Sequence, residues 1–444
     1  MVFQRPALHC RPHPVFLAAF VALTAPFTSL AQPMAVSPDK VSGVYRVGDI
    51  VRWTVMWTGS GPPPVAHYTL KADGVKVIRN GALRFFSGRA RLGTRIASPE
   101  TLLLEVTWQP SAPDNRAVGG AVAEPGAIAP AAPPPADFAA FWKGKLQDLE
   151  SVPVNPELQR ANSGKAGVCY WKVTLDNIGG THVRGQIARP EREGRFPAIL
   201  IPQWAGVYAL QKQWVTNFAA QGWLALNFEA HDIPIDREPS FYTGQFSGPL
   251  RNYWSTGNDD REKSYFLRMF LSCNQALRYL EGRPDWDGRT LVVAGASQGG
   301  MQGLMLAGLH PNEITALMVD VPAGCDMLAP TLGHAPGWPD WYHQTDGKDP
   351  EKVRQTSRYF DAANFARTIR CPVLVGLGLR DEVAFPSSVL AAVHEIRSPK
   401  EVVIMPMADH TGEKGPHKEY EKRLWGAWLP ALHDGKYVPP GVSF

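Results

Sequence analysis

Residues Ile50 to Trp57 (IVRWTVMW) alternate in polarity, with Val51, Trp53, Val55 and Trp57 on one face, as in a half-buried strand. Tyr68–Ala72, Val75–Ile78 and Leu102–Trp108 read as further short strands. Gly-Ser-Gly-Pro-Pro-Pro at 59–64 and Asp73-Gly74 supply turns between them. This pattern predicts a small all-β unit over 36–109, most economically an immunoglobulin-like sandwich. Residues 110–135 are rich in Pro, Ala and Gly and nearly free of large apolar side chains, so they predict a linker or a strap over the surface. From Ala136 onward the period changes. Asp137 is placed to cap a helix carrying Phe138, Phe141, Trp142 and Leu146. Apolar strands are then expected at Phe196–Ile201, Trp223–Phe228, Leu291–Ala294, Ile314–Val319, Val373–Gly376 and Val402–Pro406. Helices fall between them, notably Ser264–Leu280, Gln302–Leu309 and Lys418–Leu432. Buried strands alternating with helices predict one α/β domain over 136–444, a doubly wound, mostly parallel sheet covered on both faces.

The first residues break this pattern. Arg5 and Arg11 precede the apolar run Val15–Ala25, and Ser29-Leu30-Ala31 follows it. Residues 1–31 therefore read as a signal peptide, which predicts a secreted or periplasmic protein with no membrane attachment after cleavage. Cleavage would lower the formal net charge from +4 to +2. The 45 basic and 41 acidic residues are interspersed, which argues against a nucleic-acid binder. Cys169, Cys273, Cys325 and Cys371 lie far apart, as buried thiols or at most one disulfide. No His, Cys and Asp cluster has metal-ligand spacing and no phosphate loop stands out, so neither metal nor cofactor is expected. The 14 tryptophans are ambiguous, because buried Trp is commoner than Trp facing a sugar.

The chemistry concentrates at Leu291–Gly303 (LVVAGASQGGMQG). An apolar strand enters Gly295-Ala296-Ser297-Gln298-Gly299 and leaves as a helix, the context of a nucleophile elbow. Side chains at either flanking glycine would collide with the neighbouring strand or helix. Serine needs a base, and the base an orienting acid, in the chain order Ser, Asp/Glu, His. Two loops at the carboxyl ends of later strands supply them: Arg380-Asp381-Glu382 and Ala408-Asp409-His410. Ser297, Asp381 and His410 are thus the candidate catalytic residues. Glu382 is an alternative acid. Asp409 adjoins His410 and is disfavoured, His417 already enters the last helix, and His231 follows an earlier strand and is placed to face the site. The candidate oxyanion hole combines the N–H of Gln298 with that of Trp204, after the strand at 198–202; its neighbours are close alternatives.

These residues resemble the acetyl xylan esterase/cephalosporin C deacetylase family of α/β-hydrolases. The resemblance is carried by Ala136-Asp137-Phe138 through Trp142, Val152-Pro153-Val154, Tyr265-x-x-Arg268, Pro284-x-x-Asp287 with Arg289, Gly295-Ala296-Ser297-Gln298-Gly299-Gly300 and Val321-Pro322-Ala323-Gly324-Cys325-Asp326. It covers roughly residues 136–434. It implies a serine esterase releasing acetate from acetylated oligo- or polysaccharides through an acyl-enzyme on Ser297. The family's Asp-x-Arg-Gly turn is replaced by Glu229-Ala230-His231-Asp232, and the family's oligomers do not carry over automatically, so an oligomer is only possible. Trp338 and Trp341, with His231, are the candidate substrate contacts; lid packing is the competing reading for the two tryptophans. Glucuronoyl esterase or peptidase activity on the same fold is the first alternative, and a non-catalytic polysaccharide-binding protein the second.

Overall fold

In the computed structural model, which describes residues 33–109, 115–413 and 415–436, the N-terminal strands form two sheets. One has the order β1 (Met34–Ser37), β3 (Ile50–Trp57), β6 (Arg89–Arg95). The other runs β2 (Val44–Tyr45), β8 (Arg116–Ala123), β7 (Glu100–Trp108), β4 (Ala66–Ala72), β5 (Lys76–Ala82). The alternation in β3 buries Val51, Trp53 and Val55 against Leu70, Leu104 and Val106, while Trp57 at the strand end stays half-buried. Asp73 and Gly74 both have positive φ, 45° and 79°, as a two-residue hairpin turn requires.

The predicted linker over 110–135 needs correction. Residues 116–123 are β8, paired with β7 and almost wholly buried. Large side chains are missing because there is no space for them. A Cβ on Gly120 would lie 2.1 Å from the Leu379 carbonyl oxygen, and one on Gly119 would lie 2.7 Å from Val36. Residues 124–135 do run as a strap, held where the Ala131 N–H donates to Asp326 (2.8 Å) and the Pro133 carbonyl accepts from Arg358 (3.0 Å).

The second sheet system has nine strands, numbered β9 to β17. Six belong to the parallel part or its join: β12 (Phe196–Pro202), β13 (Leu224–Phe228), β14 (Trp286–Ala296), β15 (Ala316–Asp320), β16 (Val373–Gly378) and β17 (Lys400–Met405). Their order is β17-β16-β15-β14-β12-β13, all parallel. Antiparallel strands β11 (His182–Pro190), β10 (Val168–Asp176) and β9 (Glu157–Ala161) continue beyond β13. β9 and β11 carry interspersed Arg, Gln, Glu and His and give no continuous apolar run, and the Val168–Trp171 run of β10 is short, so the pattern does not predict these strands. The helix Gln298–Leu309 is enclosed along nearly its whole length.

Two helix details differ from expectation. Asp137 makes no capping bond; its carboxylate pairs with Arg261 at 2.6 Å and accepts from Tyr359. The terminal helix is broken into Lys418–Arg423, a wider turn over Leu424–Trp428, and Leu429–His433. Pro430 has no N–H to give to the preceding turn, and the widening falls just before it. Cys169, Cys273, Cys325 and Cys371 are buried free thiols. Residues 1–31, read as an export signal, lie outside the described residues. Among the described residues no helix is long and apolar enough to cross a membrane.

Candidate active site

Ser297 sits between the end of β14 and the helix Gln298–Leu309, at φ 53° and ψ −122°. A side chain in this conformation is strained, and the neighbours enforce it. The Ser297 N–H donates to the Asp320 carbonyl, and the Ser297 carbonyl accepts from the N–H groups of Ala323 and Met301, each at 3.0 Å. A Cβ on Gly295 would meet the Gly299 carbonyl oxygen at 2.4 Å, and one on Gly299 would meet that of Pro202 at 2.6 Å. The two glycines let strand, turn and helix close this tightly around the serine.

Three side chains from three loops meet there. His410 Nε2 lies 2.9 Å from Ser297 Oγ, and His410 Nδ1 lies 2.8 Å from Asp381 Oδ2. A carboxylate only accepts, so Nδ1 carries the proton and Nε2 receives the serine hydroxyl. Asp381 is 1% exposed, and its other oxygen accepts the N–H groups of Val383 and Ala384 at 2.8 Å each. Burial acts to lower the His410 pKa, but the charge and hydrogen bond of Asp381 outweigh it and leave the imidazole above its ordinary value. Glu382 points the other way and forms a two-pronged pair with Arg116, 2.7 Å on each arm. Asp409 turns back to accept the Gly412 N–H at 2.8 Å.

Gln298 opens its helix, so its N–H has no carbonyl one turn back to bind. The loop 203–206 runs beside it and is held from behind. The Gln203 carbonyl accepts from Gln302 (2.8 Å), and its side-chain oxygen accepts the Ala230 N–H (2.8 Å). Tyr253 donates to the Gln298 side chain at 2.7 Å and accepts the Gly206 N–H at 3.3 Å. Trp204 lies at the centre of this loop, its ring against Tyr208 and Trp214.

His231 belongs to that support and is not a substrate contact, which corrects the expectation for it. It is 4% exposed; its Nε2 donates to the Gly206 carbonyl at 2.8 Å while its Nδ1 accepts from Tyr265 at 2.7 Å. Both ring nitrogens are used, and burial lowers the pKa to about 4, so the ring is neutral. Burial also pushes the carboxyl of Glu229 beside it well above the usual range. Trp341 is corrected too. It is 1% exposed, donates to the Trp254 carbonyl at 2.6 Å, and packs on Phe266 and Phe360, so it is core. Trp338 is only partly buried, against Trp254 and Phe266, and its N–H donates to the Val383 carbonyl two residues from Asp381. Among the described residues no group of three His, Cys, Asp or Glu is arranged to hold a metal ion.

A second His–Asp pair lies beside the first, and sequence reasoning passed over it. His417 Nδ1 is 2.6 Å from Asp320 Oδ2, and Nε2 is 2.6 Å from the Asp409 carbonyl. Both partners accept only, so the ring holds two protons and a positive charge. Burial opposes that charge, but the bond and charge of Asp320, with the Asp409 carbonyl, raise the pKa to about 9. The available signal was Asp320 itself, a lone carboxylate closing the apolar strand Ala316-Leu-Met-Val. Asp320 binds the Ser297 N–H through its carbonyl, so the pair ties the serine turn to the histidine loop. A histidine raised from about 6.5 to about 9 adds stability that is complete below 6.5 and is lost as pH rises through 9. Groups facing His417 are Asp320, the Asp409 carbonyl, His410 with Asp381, and Tyr420, which packs near Asp320. Activity is therefore expected to fall above pH 9 in an alkaline limb of kcat/KM. Asp320→Asn, which removes the charge, should move that limb down by about 1–2 pH units. An identical limb in wild type and Asp320→Asn would exclude the assignment.

Comparison with known proteins is consistent over most of the chain. Residues 127–427 match the acetyl xylan esterase (AXE1) family. Acetyl esterase Axe7A of Xylanibacter ruminicola is 30% identical over 400 residues, covering 87% of this chain and 88% of its own. Acetyl xylan esterase 1 from Thermoanaerobacterium sp. JW/SL YS485 shares the fold at TM-score 0.60 and 22% identity, over 70% of this chain and 98% of its own. An acetyl xylan esterase from Paenibacillus sp. R4 does so at TM-score 0.55 and 22% identity, over 68% and 97%. The family match, and a relative 30% identical over 87% of the chain, establish that this chain belongs to the acetyl xylan esterase family and is a carboxylic-ester hydrolase.

Proposed function

We propose that the protein removes acetyl groups from acetylated carbohydrate chains, xylan foremost, through an acetyl-enzyme formed on Ser297. The observation that carries this reading is the unbroken hydrogen-bond path from Asp381 through His410 to Ser297. As Ser297 Oγ attacks the acetyl carbonyl carbon, its proton passes to His410 Nε2. The imidazolium then formed is stabilised by the Asp381 carboxylate. The oxyanion develops against the N–H groups of Gln298 and Trp204. Collapse expels the sugar alkoxide, which takes the proton from His410 and leaves acetyl-Ser297. Water, deprotonated by the same imidazole, then attacks the acetyl-serine and releases acetate. The bracing of loop 203–206 by Gln302, Tyr253 and neutral His231 supports this assignment, because fixed donors need no rearrangement as charge appears. The N-terminal strand orders, three and five with β2 parallel to β8, support an immunoglobulin-like sandwich.

Acetate release from acetylated xylan, acetylated mannan and cephalosporin C, assayed side by side, tests the substrate class. Release is expected from xylan at the highest kcat/KM. Activity on a methyl glucuronate ester with none on the three acetates would overturn the proposal.

A further inference from the structure

The family match begins at residue 127, so it leaves the β unit without a role. Two observations show that this unit is fixed to the segment that carries Asp381. The first is steric. Gly120 of β8 lies against the Leu379 backbone, where a Cβ would be 2.1 Å from its carbonyl oxygen. At the hairpin, a Cβ on Gly74 would lie 2.6 Å from the Phe385 ring, and the Asp73 carbonyl accepts the Ala335 N–H at 2.8 Å. The unit thus abuts both ends of the stretch 379–385.

The second observation is electrostatic. Lys71, Glu105 and Arg116 form a row on the outer face of the five-stranded sheet. Lys71 pairs with Glu105 at 3.1 Å, Glu105 with Arg116 at 3.0 Å, and Arg116 grips Glu382 with both arms at 2.7 Å. Arg380 is the like-charged neighbour of this group. A single exposed ion pair contributes little, but a bidentate fork inside a network is the geometry that does hold a backbone in place. Glu382 is bonded directly to Asp381, and the two side chains leave the turn in opposite directions. The Asp381 carboxylate holds Val383 and Ala384 on the inner side, and Arg116 holds Glu382 on the outer side.

We propose that the β unit is a rigid buttress for the turn carrying the catalytic acid, and that Arg116, acting through Glu382, is a positioning residue for Asp381. The proposal rests on the reading of Asp381 as the residue that orients His410. It also separates this unit from a mobile polysaccharide-binding module, which would affect capture of polymer and leave turnover of a small ester alone.

The test is steady-state hydrolysis of p-nitrophenyl acetate by the full chain, as wild type, Arg116→Ala, Arg116→Lys and Glu382→Gln, with kcat and KM separated and followed against pH. Arg116→Ala should lower kcat about tenfold with KM within about twofold, a fraction of the loss that a 1 Å misplacement causes. The acidic limb of kcat/KM should move to lower pH, because His410 owes its raised pKa to Asp381, with Asp320 and the charged His417 the other groups facing it. Arg116→Lys should recover part of kcat, and Glu382→Gln should reproduce the loss in milder form. Glu382→Gln keeps the size of the side chain, so it carries the test if Arg116→Ala does not fold. Wild-type kcat and acidic limb in Glu382→Gln and in folded Arg116→Ala, while Asp381→Asn is inactive, would overturn the buttress alone. Full activity in Asp381→Asn would instead overturn the reading on which it rests.

Discussion

Ser297→Ala is expected to reduce kcat on p-nitrophenyl acetate by about 10⁵- to 10⁶-fold, the size of loss seen when a triad nucleophile is removed. Without Oγ no acetyl-enzyme forms. What remains is a water molecule near His410 and the donors of the oxyanion loop, which together still exceed the uncatalysed rate by about 10³- to 10⁴-fold. The fold should be untouched. Alanine accepts the backbone bonds to Asp320, Ala323 and Met301 unchanged, and only the bond from the hydroxyl to His410 is lost. The melting temperature should therefore stay level or rise slightly, as happens where function holds a residue in strain. Purified Ser297→Ala that hydrolysed the ester at the wild-type rate would end the case for covalent catalysis at this serine.

Asp381→Asn should cost about 10⁴-fold in kcat, through the proton it misplaces more than the charge it removes. One Asp381 oxygen accepts two N–H groups, from Val383 and Ala384. In asparagine only the carbonyl oxygen can take that position, so the NH₂ group is turned toward His410 Nδ1. Two donors cannot face each other. His410 must then shift to the tautomer protonated at Nε2, which points a proton at Ser297 and cannot receive one. The loss should appear in kcat with little change in KM, and the protein should remain folded by circular dichroism. A fall below about tenfold would show that the backbone pair does not lock the amide.

How much of this is legible in the sequence depends on what sets each residue. The serine turn is legible because its glycines fall inside one short strand–turn–helix segment, where Gly295 is demanded by the nearby Gly299, although Gly299 itself answers to Pro202 of the adjoining strand β12. The order Ser297, Asp381, His410 is legible because each follows an apolar strand whose end marks one rim of the sheet. The parallel strands stand out for the same reason; the apolar run Leu291–Ala294, for example, spans most of the buried centre of β14, which begins earlier, at Trp286. What stays hidden is set from far away in the chain. The small residues of β8 have the composition of a linker, yet they are small because Val36 and Leu379 press on them. Trp341 has the look of an exposed aromatic in a Gly- and Pro-rich insertion, but Phe266 and Phe360 enclose it. His417 has no local pattern at all, since its partner Asp320 is 97 residues earlier.

The grip of Arg116 on Glu382 also bears on the order of events during synthesis. The two residues are 266 positions apart. At about 5–20 residues per second on the ribosome, the β unit emerges roughly 13–53 seconds before the turn it supports exists. Through that interval its docking face, with the bare backbone of Gly120 and an Arg116 held by Glu105 but lacking Glu382, has nothing to rest on. The row Lys71, Glu105 and Arg116 keeps part of that waiting face charged and in contact with water until the turn arrives.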